Sequence, residues 1–208
     1  MTPGSEDGTL PGLSRHWTRE LVERSGIAPE VITQRGYRTV AWSLNDRSGH
    51  DLLAKLRIPS WARAEERASG LLLPMYRATG ERISCQWRPE KQVRGRDGKY
   101  RKYASVQGQT NRCDVHPRNT GAVADPTVRL WITEGIKKAD SLTSRGACVV
   151  ALTGVFSWRS RLGTLGDWED VPLKGREVVV CFDADARMNP NVLRAMVRLS
   201  RWLKSKGA

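Results

Sequence analysis

Val128-Arg-Leu-Trp-Ile132, Cys148-Val-Val-Ala-Leu152 and Glu177-Val-Val-Val-Cys-Phe182 are short apolar runs within one stretch, Val128 to Arg187. Near-continuous apolar character over so few residues marks a strand covered on both faces, as in a parallel sheet. Between the first two runs, Ile136 to Arg145 has helical character, and Gly146 stands where a left-handed residue would end the helix. A strand, a helix and a second strand in this order predict a right-handed crossover and a parallel pair. The fold class is therefore α/β, a parallel sheet with flanking helices.

Glu134 follows the first strand and Asp183-Ala-Asp185 follows the third. Neighbouring strands lie only ~4.8 Å apart, so these carboxylates converge at one sheet edge if their strands are adjacent. Asp183 and Asp185, two apart in extended chain, point the same way. Carboxylates gathered like this repel one another unless a proton or a cation intervenes. All-oxygen ligation with open positions suits Mg²⁺, with Mn²⁺ as a substitute, and the crevice beyond the strand ends is where such sheets bind ligands. Glu134, Asp183 and Asp185 are the candidate metal ligands and catalytic groups, and phosphoryl transfer is the chemistry they suit. Each acid taken alone would be an ordinary strand-end turn former or helix N-terminal residue.

The chain has 208 residues and a net charge of +13, with an isoelectric point of about 10.2. That balance points to a polyanionic partner, nucleic acid first. No apolar run is long enough to span a membrane, and the N-terminus lacks the pattern of a secretion signal, so a cytoplasmic location without membrane contact is expected. Cys85, Cys113, Cys148 and Cys181 show no paired metal-ligand spacing, and Cys148 and Cys181 fall inside predicted buried strands. His16, His50 and His116 each lack a second ligand at metal-site spacing.

Four segments follow from composition and periodicity. Residues 1–12 read as a disordered tail and 13–68 as a helical N-terminal region, in which Ser14 caps one short helix and Pro29 opens another. That helical pair offers Gln34 and Arg35 for base reading, with packing as its competing role. Residues 69–126 form a basic hairpin subdomain of α+β character. In it Leu71 to Tyr76 returns through Arg82 to Arg88, with Ile83, Cys85 and Trp87 alternating. Pro74 predicts an edge strand or a bulge there. Lys91 to Tyr103 is basic and interleaved with glycine and tyrosine. Arg88, Lys99, Arg101 and Lys102 are suited to phosphates, and Tyr103 to stacking on an unpaired base. Gln107 to Pro126 reads as a connector.

In the last segment, 127–208, Lys137 and Lys138 open a helix, where cations oppose the macrodipole unless an anion lies nearby. A phosphate at the metal site is one such anion. Arg159 lies in a loop at the same mouth, Phe156 and Trp158 are expected to pack beneath it, and Asp167 and Asp170 read as solvated. Asn189 and Pro190 open a final helix with Leu193, Met196, Val197 and Leu203 predicted inward and Arg194, Arg198 and Arg201 outward.

Ile-Thr-Glu134-Gly135 followed by helix, strand and Phe-Asp183-Ala-Asp185 resembles the Toprim domain of primases, topoisomerases and some nucleases. The fuller wording, Trp-Ile-Thr-Glu-Gly-Ile-Lys-Lys-Ala-Asp-Ser-Leu with Ala-Leu-Thr-Gly-Val-Phe-Ser-Trp-Arg, is similar to Toprim-like proteins of mobile elements, largely grouped as a domain of unknown function. The resemblance covers residues from about 14 onward. It implies that Glu134, Asp183 and Asp185 bind divalent metal, with Glu134 as a candidate acid or base. The hairpin also resembles the subdomain preceding Toprim in DnaG-type primases, through Pro74, Gly80, Arg88, Lys102 and Tyr103. There the basic residues face template and nucleotide across a cleft from the metal. Two departures stand out: Lys138 replaces an aspartate common in Toprim domains, and a usual fourth strand does not follow the last helix.

Three functions fit. One is primase-like, Mg²⁺-dependent nucleotidyl transfer in plasmid or phage-type replication, on single-stranded DNA. Another is a metal-dependent nuclease, and the third a non-enzymatic module that binds nucleic acid or a helicase. No Gly-Lys-Ser/Thr occurs, so unwinding would need a helicase or another replication protein as partner.

Overall fold

The computed structural model describes residues 8–41, 46–63, 69–95, 98–183 and 188–208. Helix α1 (Arg15–Arg19) is capped by Ser14, whose hydroxyl accepts from the Trp17 amide, and it widens into a π-helical turn, Glu20–Arg24. Helix α2 (Pro29–Arg35) starts on its proline and ends at Gly36, which is left-handed at φ +74°. Strand β1 (Arg38–Val40), helices α3 (Ser48–Lys55) and α4 (Ser60–Arg63), and strands β2 (Gly70–Tyr76) and β3 (Arg82–Pro89) follow. A small hairpin of β4 (Val93–Arg94) and β5 (Tyr100–Arg101) then leads to β6 (Ala104–Ser105).

Strands β1, β2, β3 and β6 form one antiparallel sheet in the order β1-β2-β3-β6. Because side chains alternate along β2, Leu71, Leu73 and Met75 pack against Trp17, Leu21, Val31 and Ile32, while Leu72 packs with Leu53, Cys85 and Trp87 on the other face. Pro74 is tolerated because β1 pairs only with Gly70 to Leu72, and a register shift follows between Met75 and Tyr76. That shift leaves Ile83 as an extra residue on β3. Contrary to the expected alternation, Ile83 packs on the Met75 face, not with Cys85 and Trp87. Residues 1–7 of the expected tail lie outside the described residues; Leu10 packs against the Trp17 cluster and the Gly12 carbonyl accepts from the Thr39 amide.

The second sheet comprises β7 (Cys113–Val115), then, after helix α5 (Thr120–Ala124), β8 (Leu130–Glu134), β9 (Cys148–Leu152) and β12 (Val178–Cys181), in the order β12-β8-β9-β7. Between β8 and β9 runs helix α6 (Ile136–Thr143), and between β9 and β12 the hairpin of β10 (Arg159–Ser160) and β11 (Gly163–Thr164). The expected parallel pair β8/β9 is present and β12 pairs parallel with β8, but β7 joins antiparallel, so the sheet is mixed and the region 107–126 supplies a strand. β7 lacks the apolar run of its neighbours because Asp114 occupies its centre.

Helix α6 lies over β8 and β9, with Ala139 against Val149 and Ala151. Helix α7 (Pro190–Ser205), capped by Asn189, covers the opposite face. Its buried stripe is Ala195, Leu199 and Leu203; Leu193 and Val197, expected inward, are exposed, because the stripe runs at four-residue spacing one turn edge away from them. Trp202 of this helix meets Trp158 and Trp168 at ring separations of 5.4 and 5.1 Å. Phe156 corrects its expectation by remaining exposed. Asp167 is buried, not solvated: it accepts from the Cys113 amide and pairs with Arg112 at 2.7 Å. The buried Arg176 guanidinium caps α5 through the Ala122 and Val123 carbonyls and holds the start of β8 through Val128.

The two sheets are joined by a buried polar cluster. Arg35 donates to both oxygens of Asp140 on α6 at 2.6 Å, to Asp114 on β7 at 2.9 Å and to the Pro74 carbonyl at 3.0 Å, while the Tyr37 hydroxyl donates to Asp140. Arg35 is therefore a packing residue of α2, not a base reader. One guanidinium faces two carboxylates. Burial, with the Asp140 charge added, holds the Asp114 carboxyl above the usual carboxylate range against the pull of Arg35. Ile136, the first residue of α6, also belongs to the core of the N-terminal helices. Helix α6 is thus clamped from both halves, and the residues that precede and open it face the space between them.

Candidate functional site

Strands β8 and β12 run parallel with Cys181 opposite Thr133, so Glu134 and Asp183 leave neighbouring strands at the same sheet edge. Gly135 makes the turn from β8 into α6 at φ +89°, where a side chain would strain the backbone, while its amide donates to the Leu152 carbonyl at 2.8 Å. The turn opens onto a cleft of about 670 Å³. Glu134, Lys137, Lys138, Cys181 and Asp183 from the C-terminal half line it together with Arg24, Ser25, Gln86, Lys102 and Tyr103 from the N-terminal half. Of the residues expected to bind nucleic acid, Lys102, Tyr103, Lys137 and Lys138 line this cleft with Glu134 and Asp183.

Both lysines that open α6 have carboxylate partners. Lys138 Nζ donates to Asp183 Oδ1, with the two side chains 47% and 49% exposed. Lys137 Nζ donates to Glu20 Oε1 at 2.7 Å and to the Ser25 hydroxyl at 3.1 Å. Glu20 also accepts from Arg88 at 2.9 Å, and Arg24 lies 3.7 Å away. Burial opposes ionisation of Glu20, but Lys137 and Arg88 outweigh it and hold its carboxyl below the usual range. Lys137 itself lies below the ordinary lysine value, because burial and the neighbouring Arg88 outweigh its share of that single anion. Both shifts express one arrangement, the Glu20 carboxylate shared among Lys137, Arg88 and Arg24.

Arg88 sits behind the cleft wall, its guanidinium 5.1 Å from the Trp17 ring and 5.7 Å from that of Tyr103. Lys99 and Arg101 belong to the β4–β5 hairpin and do not line the cleft; Arg101 lies over Trp61. Arg159, on β10, is exposed beside Trp158 and also lies outside the lining. Asp185 lies outside the described residues. Glu20, Arg24, Gln86 and Cys181 join the cleft or its support without any sequence signal, since a π-helical turn and a cross-sheet approach leave no periodicity to read. Cys181, expected inside a buried strand, is exposed: β12 is the outer strand among the described residues, and α6 packs chiefly on β8 and β9.

Glu134 and Asp183 are hard oxygen donors lining the cleft, the donor chemistry that Mg²⁺ or Mn²⁺ takes. Among the described residues no three acidic, histidine or cysteine side chains form a complete metal cluster. These two fit as part of a ligand set that leaves further positions to water and phosphate.

Residues 121–208 match a family described as a domain of unknown function (DUF3854). No curated protein sequence matches the chain. Among solved structures, the chain is similar to the zinc-binding and RNA polymerase domains of Aquifex aeolicus primase, with a TM-score of 0.62 and 16% identity over 94% of this chain and 48% of that one. The fold is primase-like. A DnaG catalytic core gives the same result, with a TM-score of 0.55 and 16% identity over 93% of this chain and 61% of that one. The chain therefore spans about half the length of the first of these primases. The likeness covers 94% of this chain and so includes both sheets, not the C-terminal sheet alone. No described helix is long and apolar enough to cross a membrane.

Proposed function

We propose that this protein is a Toprim-like, divalent-metal-dependent nucleotidyltransferase acting on single-stranded DNA, of the primase type, in replication of a mobile element in the cytoplasm. The observation that supports the reading is the cleft: Lys102, Tyr103, Glu134 and Asp183 all line it. In this reading Asp183 and Glu134 hold Mg²⁺ or Mn²⁺, together with Asp185. Bound there, the cation would neutralise charge developing on the phosphates. Lys102 binds the strand's phosphates and Tyr103 borders the base side of the cleft. Glu134, only partly exposed, serves as a further ligand or, where it does not hold the cation, as the base that takes up the proton of the attacking hydroxyl. Lys99, Arg101 and Arg159, outside the lining, add sequence-independent attraction for the strand. A helicase or other replication protein supplies unwinding.

The test is oligonucleotide synthesis from NTPs on single-stranded DNA, run beside a strand-cleavage assay, with Mg²⁺ or Mn²⁺. Wild type should synthesise, and Asp183→Asn should lose at least about a hundredfold in rate, as expected when charge stabilisation at a transferring phosphate is removed. Cleavage without synthesis would select a nuclease. One observation favours a second reading, a non-enzymatic module that binds nucleic acid or a helicase: Lys138 already neutralises Asp183. Salt-sensitive DNA binding with no product in either assay would select it.

A further inference from the structure

Lys138 is placed against its own helix. It opens α6, where a cation opposes the macrodipole, and its ammonium is taken up by Asp183 from the neighbouring strand end. We propose that Lys138 makes the cleft accept a divalent cation as its polyphosphate complex in preference to the bare ion; this rests on the metal-site reading above. A bare dication at Asp183 must displace the ammonium and then sit beside it. The displaced amine keeps three hydrogen-bond donors and loses its acceptor. A cation arriving on a polyphosphate brings the oxygens that take up those donors, so the pair is exchanged without leaving either charge uncompensated. Because both side chains are about half exposed, the pair opens without burying an unpaired charge. Lys137, engaged by Glu20 and Ser25, is not released by the same event, which assigns the coupling to Lys138.

The experiment compares wild type, Lys138→Gln and Lys138→Arg by calorimetry with two probes, Mn²⁺ alone and the Mg²⁺ complex of inorganic tripolyphosphate, after thermal melts show equal folding. A monovalent and a divalent cation about 6 Å apart in water-like surroundings repel enough to change affinity about tenfold. Lys138→Gln should therefore bind bare Mn²⁺ about tenfold more tightly than wild type and the complex several-fold more weakly, while Lys138→Arg keeps the wild-type order. A wild type that binds Mn²⁺ no more weakly than Lys138→Gln overturns the proposal and leaves the metal site standing. A wild type that binds neither probe removes the metal site itself, and the proposal with it.

Discussion

Arg35 and Asp140 lie 105 positions apart in the chain and meet as a two-bond ion pair without solvent exposure. They tie the N-terminal helices to the helix that follows Glu134. Removing the guanidinium strands two buried carboxylates, and a broken buried pair costs roughly 3–5 kcal/mol. Arg35→Ala should lower unfolding stability by that amount in urea titrations followed by circular dichroism. A loss within the range of an exposed substitution would show that the cluster does not hold the halves together.

His116 is buried and makes a bond through each ring nitrogen: Nε2 donates to the Val31 carbonyl and Nδ1 accepts from the Arg118 amide. Both bonds require the neutral ring with the proton on Nε2. Burial, with Arg35 nearby, lowers its pKa to about 4 from the ordinary 6.5. The unfolded chain thus binds the extra proton first as pH falls. Stability is full above about pH 6.5 and declines through the window down to about pH 4, by roughly 3 kcal/mol. Denaturation midpoints measured across that window should slope for wild type and flatten for His116→Gln, which is less stable at neutral pH.

Cys85, Cys113 and Cys148 are buried while Cys181 faces the cleft. Burial also raises the thiols of Cys85, to about 11, and of Cys148. A native thiol titration should label Cys181 rapidly and the rest only on unfolding, and an oligonucleotide bound in the cleft should slow the labelling. Equal labelling with and without oligonucleotide would place the nucleic acid elsewhere.

Lys102 is an exposed cation on the cleft wall. Lys102→Gln should weaken single-stranded DNA binding across all sequences and reduce the slope of log affinity against log salt by about 0.7, the share of one phosphate contact. Arg88→Gln should act differently, lowering stability through the lost Glu20 and Trp17 contacts more than it alters that slope.

The sequence by itself determined the elements whose causes are local. Continuous apolar runs marked β8, β9 and β12; Ser14, Pro29, Asn189 and Pro190 marked helix starts; and Glu134 and Asp183 were placed at the ends of neighbouring strands. Each follows from backbone geometry or from burial on both faces of a strand, which leaves its pattern in consecutive residues. Tertiary structure alone decided which cations meet which anions: Arg35 with Asp140, Lys137 with Glu20, Lys138 with Asp183. It also decided that Asp114 sits in an edge strand, that Asp167 is buried and that Leu193 is exposed. Those outcomes depend on which surfaces the packed halves cover, and a charge is stabilised at depth only by a partner that the fold, not the neighbouring sequence, brings within hydrogen-bonding distance.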